Sequence, residues 1–98
     1  MNLTVVDNPE MRRFEARTDD GEVAGVVEYE RTDDTVTLVH TEVVETFHGQ
    51  GVGSRLVRGT LHTLTGEAAR VVNDCPFIER FLLRHEGEFP SVERVSGP

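Results

Sequence analysis

The hydrophobic period of this chain changes abruptly across His48-Gly49-Gln50-Gly51-Val52-Gly53-Ser54. Before it, Thr35 to Val43 is dominated by β-branched residues, the mark of a strand. After it, Val52, Leu56, Val57, Leu61 and Leu64 fall on one stripe of a helix running from Gly51 to about Thr65. Glycines at 49, 51 and 53 let the backbone turn tightly and bring its N–H groups close to a ligand. Those groups sit at a helix N-terminus, where unsatisfied donors and the helix dipole favour an anion such as a pyrophosphate. A flexible connection that binds nothing is the other possibility, because three alternating glycines alone are not specific. Two better-known phosphate loops do not fit. The nucleoside triphosphatase loop needs Gly-Lys-Ser/Thr, and the chain has no Lys. A dinucleotide fingerprint needs a different glycine spacing and a βαβ unit that opens with the motif.

The residues around this junction predict the remaining elements. Arg12 to Arg17 reads as a short polar strand with Phe14 and Ala16 on one face. Asp19-Asp20-Gly21 is a turn, and Glu22 to Glu30 completes an antiparallel hairpin. Beyond the turn at Thr32-Asp33-Asp34, regular alternation puts Val36, Leu38, His40 and Glu42 on one face of the third strand. Thr35, Thr37, Val39, Thr41 and Val43 take the other face. Gly59 weakens the first helix by roughly 1 kcal/mol relative to Ala. Arg70 to Asn73 is a short strand, and Pro76 opens a second helix, where its missing N–H costs nothing. Phe77, Ile78, Phe81 and Leu82 give that helix a buried face, Gly87 stops it, and Ser91 to Val95 forms a last edge strand. This order predicts an α+β (mixed α/β) fold, with helices packed on a mainly antiparallel sheet.

A length of 98 residues predicts one domain, residues 1–98, and a 37% hydrophobic content suffices for one core. Any active site must then lie against that core. The net charge is −8 and all ten basic residues are Arg. Such a surface repels phosphate backbones, so nucleic acid is not an expected partner, whereas an amine or basic peptide is compatible. Cys75 is the single cysteine, which excludes an internal disulfide and a Cys-rich zinc site. No histidine pair has a recognised metal-ligand spacing, so no metal is expected. No apolar run approaches the roughly 20 residues that span a bilayer, and the first residues lack the pattern of a secretory signal. The expectation is a cytoplasmic protein without a membrane partner.

Gly51-Val52-Gly53 matches the glycine part of the GNAT N-acetyltransferase signature, Arg/Gln-x-x-Gly-x-Gly/Ala, with His48 where the family carries Arg or Gln. The wider chain resembles a compact GNAT subfamily of about this length that lacks the N-terminal helices of larger relatives. The resemblance rests on His40-Thr41-Glu42-Val43, then the glycine turn, then Cys75-Pro76-Phe77, then a helix ending near Arg84-His85, and it spans Gly21 to His85. It implies an N-acetyltransferase that moves an acetyl group from acetyl-CoA to an amine, carried by a small molecule or a protein. A CoA-binding or regulatory module with little catalysis is the alternative. It also implies that acetyl-CoA is held by backbone along Thr41, Val43 and Val44 and around His48, Gly49, Gln50, Gly51, Val52, Gly53 and Ser54. Arg55 and Arg58, on the first turns of the helix, are either aids to phosphate charge or solvated side chains.

The resemblance points to Cys75 and His40 as catalytic candidates. Cys75 precedes a helix, whose positive end favours an anion, while Asp74 opposes it; the competing role is that of a small buried hydrophobe. Histidine as a residue type exchanges protons near neutral pH, which suits His40 to a base, against a satisfied core histidine. Glu42, two residues on, would share its face and could orient it or act through a water. Cys75 would then protonate the leaving thiolate or accept the acetyl group in a double displacement.

Overall fold

The computed structural model of the chain describes residues 2–95. Among them six strands form one sheet in chain order: β1 Thr4–Asn8, β2 Arg13–Arg17, β3 Val23–Thr32, β4 Thr35–Val43, β5 Arg70–Asn73 and β6 Glu93–Arg94. The first four pair antiparallel; β5 joins β4, and β6 joins β5, in parallel. Helix α1, Val52–Gly66, carries the chain from β4 to β5, and helix α2, Pro76–Arg84, carries it from β5 to β6. Both connections step the same way along the sheet, and right-handed crossovers then put both helices on one face. There Phe14, Val27 and Leu38 of the sheet are buried in one core with Leu56, Leu61, Ile78 and Phe81 of the helices.

Periodicity located β2 to β5 and both helices to within a residue or two. It did not reveal β1, whose ends are polar. That strand is secured from a distance: the Tyr29 hydroxyl of β3 donates to Asp7 Oδ1 at 2.6 Å, while its ring packs on Phe14 at 5.6 Å. Burial, and then the Asp7 bond, push the Tyr29 phenol up to about 12. β1 also explains Gly59, since a Cβ at that position would lie 2.7 Å from Val5 Cγ2. The glycine that weakens α1 as an isolated helix lets β1 pack against it. At the other end, α2 stops at Arg84, and Gly87, with φ +86°, lies in the loop beyond. The expected edge strand over Ser91–Val95 contracts to Glu93–Arg94.

The regular alternation expected for β4 is broken. From the turn, Thr32 pairs with Thr35 and Tyr29 with Leu38, but Glu28 then pairs with His40, leaving Val39 as the extra residue of a β-bulge. An unbroken ladder would set His40 opposite Val27, on the helix-covered face. The bulge reverses this. Val36 and Leu38 are buried under the helices, and beyond the bulge so is Thr41, while His40 and Glu42 are exposed on the opposite face. The expectation that Val36, Leu38, His40 and Glu42 share a face is therefore corrected.

That opposite face carries a buried charge. Glu15 is 2% exposed and accepts hydrogen bonds from Arg13, Arg17 and Asn8. Burial alone would raise its pKa, but these donors outweigh burial and hold the carboxyl at about 2, below its ordinary 4.5. A depressed carboxylate stabilises the fold above its unfolded value, and the contribution fades as pH falls from about 4.5 to about 2. Urea midpoints should show wild type losing its advantage over Glu15→Gln across that window; a constant gap would contradict this account. Gly59→Ala should lower stability, even though Ala is about 1 kcal/mol better than Gly in a free helix. A rise in melting temperature would mean that the Val5 contact yields easily.

Candidate active site

The site begins where β5 leaves β4. Asp74 N–H donates to Leu38 O at 2.8 Å, the last rung between the two strands. The Asn73 side chain then accepts from Cys75 N–H and donates to Cys75 O, both at 3.1 Å, folding the chain away. Pro76 follows at the first position of α2 and has no N–H to continue a ladder. Asn73 is 1% exposed and was not anticipated; its place just before Asp-Cys-Pro is the signal that could have identified it as a turn clip.

From Val39 to Val43, β4 runs on with no strand beside it on that edge among the described residues. Val44 N–H donates to Ala24 O of β3 at 2.9 Å. By the alternation of an antiparallel ladder, the N–H groups of Glu42 and His40 also face β3, and those of Thr41 and Val43 face the open edge. The N–H groups of Thr41 and Val43 thus point to the open edge, whereas the Val44 N–H is committed to the sheet.

A single 3-10 turn, Glu45–Phe47, leads from β4 into the glycine turn. His48 Nε2 lies 2.8 Å from Val43 O; a carbonyl can only accept, so Nε2 carries the proton and donates. This bond ties the turn to the end of β4. Gly51, the N-cap of α1, has φ +75°, a left-handed conformation that favours glycine, and no side chain caps the helix. Gly53 has another role: a Cβ there would lie 2.5 Å from Phe77 Cζ, so this glycine lets α2 close onto the first turn of α1. The Gln50 side chain folds back to Thr46 O.

These parts enclose a cleft of about 490 Å³. Its walls are Thr41, Glu42 and Val43 of β4, then Phe47, His48, Gly49 and Gly51 of the turn. Val52, Gly53 and Ser54 of α1 and Phe77 of α2 complete it. Phe47 and Phe77 were not anticipated as walls of a cleft; Phe77 was expected on the buried face of the second helix, and Phe47 was not singled out.

The catalytic candidates separate. Cys75 is 2% exposed, with Sγ 3.3 Å from Thr41 Oγ1. It does not line the cleft but a smaller, separate cavity with Asp74, Pro76, Glu79 and Arg80. His40 lies on the open sheet face, between Glu28 across the ladder and Glu42 two residues along the strand. Glu28 was missed because the unbroken register pairs His40 with Val27. Arg58 pairs with Glu88 at 2.8 Å and covers the Phe81 ring. His62 and His85 pack on Phe89 and Phe81 respectively, away from the cleft. Among the described residues no group of His, Cys, Asp and Glu is arranged to hold a metal ion, and no helix is long and apolar enough to cross a membrane.

Comparison with known proteins agrees with this architecture. The chain is similar in structure to a GCN5-like N-acetyltransferase from Staphylococcus aureus, with 19% identity, 97% of this chain and 92% of that one covered, and a TM-score of 0.67. It is also similar to an acetyltransferase of Bacillus subtilis solved in complex with CoA, with 19% identity, coverage of 89% and 84%, and a TM-score of 0.54. No curated protein matches it. The sequence profile of the GCN5-related N-acetyltransferases matches residues 13–92. The parting of β4 from β5, the glycine turn at the start of α1 and that match lead to one conclusion: the chain belongs to the family of GCN5-related N-acetyltransferases.

Proposed function

We propose that the cleft binds acetyl-CoA and that the acetyl group passes directly to an amine at the open edge of β4. The supporting observation is the convergence of two sets of backbone donors: the uncapped start of α1 and the unpaired edge at Thr41 and Val43. The N–H groups from Gln50 to Ser54 suit a pyrophosphate at a helix N-terminus. The edge of β4 suits the amides of a pantetheine arm, as it would an added strand. Acetyl-CoA, when bound, supplies an acyl group activated as a thioester.

A strand edge is reachable from both faces of its sheet, and the two catalytic candidates occupy opposite faces. His40 takes the proton from the incoming amine on the open face, where Glu28 and Glu42 favour a cationic acceptor. The open-edge N–H of Thr41 or Val43 stabilises the oxyanion that develops on the carbonyl. Cys75, on the helix side, returns a proton to the leaving sulfur. The near-complete burial of Cys75 favours this role over that of a nucleophile, which must reach the acyl carbon. In this reading residues 1–98 act as one cytoplasmic domain with neither nucleic acid nor membrane as partner, in keeping with a net charge of −8.

Calorimetric titration with acetyl-CoA tests the cleft. Gly51→Val forces a β-branched residue into φ +75°, which strains the backbone of the turn, so affinity should fall at least about 10-fold in the folded variant. An unchanged Kd would dismiss the turn as the binding site. CoA release with a panel of amines then separates an enzyme from a binding module. His40→Gln should reduce turnover by about 100-fold or more and remove the acid limb of the pH–rate profile. Cys75→Ala should bind acetyl-CoA normally and transfer slowly. Acetyl mass on Cys75 in the absence of acceptor would replace direct transfer with double displacement.

A further inference from the structure

The Cys75 thiol is well placed for the leaving sulfur in one respect and badly placed in another. It stands at the start of α2, beside the parting of the strands, yet it is 2% exposed and contributes nothing to the wall of the cleft. Thr41 stands between the two. Its hydroxyl lies 3.3 Å from Cys75 Sγ, and Thr41 itself lines the cleft. We propose that the Thr41 side chain is a proton relay, carrying the proton of Cys75 to the sulfur that leaves in the cleft. This rests on the assignment of Cys75 as the acid.

The bulge at Val39 creates the arrangement. In an unbroken ladder His40 would hold the buried position opposite Val27 that Thr41 occupies, and Thr41 would face outward. The bulge replaces an imidazole with a hydroxyl, a group small enough to share a packed space with a thiol and able to donate and accept at once. The step balances. As the carbon–sulfur bond breaks, its electron pair remains on the leaving sulfur. Thr41 Oγ1 gives its hydrogen to that sulfur and receives the hydrogen of Cys75 Sγ, so that Thr41 is unchanged and Cys75 is left as a thiolate. The thiolate faces the positive end of α2. The separate cavity lined by Asp74, Pro76, Glu79 and Arg80 gives Cys75 a second side, from which water restores the proton.

The test compares Thr41→Val, which keeps shape and loses the hydroxyl, with Thr41→Ser, which keeps the hydroxyl. Both should bind acetyl-CoA within about twofold of wild type, because the backbone of β4 is retained. The single-turnover rate should fall by about 100-fold in Thr41→Val and stay within about 10-fold of wild type in Thr41→Ser. In mixtures of light and heavy water, wild type should show the curved dependence of two protons in motion, and Thr41→Val a linear one. Should valine not be tolerated, Thr41→Ala against Thr41→Ser carries the same comparison. A valine or alanine variant with the wild-type rate, or with the same curvature, overturns the relay. Cys75→Ala distinguishes the two failures: if it is slow while Thr41→Val is fast, only the relay falls, and if it is fast, the assignment of Cys75 falls as well.

Discussion

A peptide group in a sheet has to hydrogen-bond to something, and in this protein one stretch of the central strand is denied a neighbour. β5 follows β4 only as far as the rung from Asp74 to Leu38, and Asn73 and Pro76 then turn the chain into α2. The remaining edge of β4 is neither an outer edge, which solvent would satisfy, nor an interior one, which a strand would satisfy. It opens into a cleft roofed by the start of α1 and closed by Phe77. The architecture around it can be understood as a means of keeping that gap open. Gly53 admits the Phe77 ring against the first turn of α1, and His48 fastens the glycine turn to the last carbonyl of the strand. Both contacts form on folding, so the N–H groups that face the cleft are ordered by the fold itself.

Much of this was legible in the sequence. The β-branched run from Thr35 to Val43, the stripe from Val52 to Leu64 and the Pro76 start signal are local, and local signals survive into the fold. The placement of the glycine turn between the best strand and the best helix was sufficient to locate the cleft, and most of the residues named for it line its wall. What escaped was set by contacts between distant segments. β1 depends on Asp7 meeting Tyr29, and Gly59 looks like a flaw until Val5 is packed on it. Phe47 and Phe77 carry no mark that distinguishes a cleft wall from a core.

The catalytic candidates show most clearly where periodicity fails. His40 and Glu42 were correctly taken as neighbours on one face, and that face was wrongly taken to be the one holding Val36 and Leu38. Nothing in Thr-Leu-Val-His-Thr announces a bulge, because Val39 is as good a strand residue as any other. The bulge arises from the pairing between β3 and β4, where it shifts Glu28 rather than Val27 opposite the histidine. It also decides that Cys75 is met by a hydroxyl instead of an imidazole.

A strand can be regarded as a text read in two frames, one for each face of its sheet, and Val39 is then a frameshift of a single letter. Upstream of it the frame is fixed by the core, because Val36 and Leu38 must lie under the helices. Downstream the core constrains the frame less, and the same letters from His40 to Val43 would spell a different site if Val39 were removed. Deleting one residue would exchange the occupants of the two faces without altering any of the side chains involved. The sidedness of the site is therefore encoded by the number of residues between turn and cleft, independently of which residues they are.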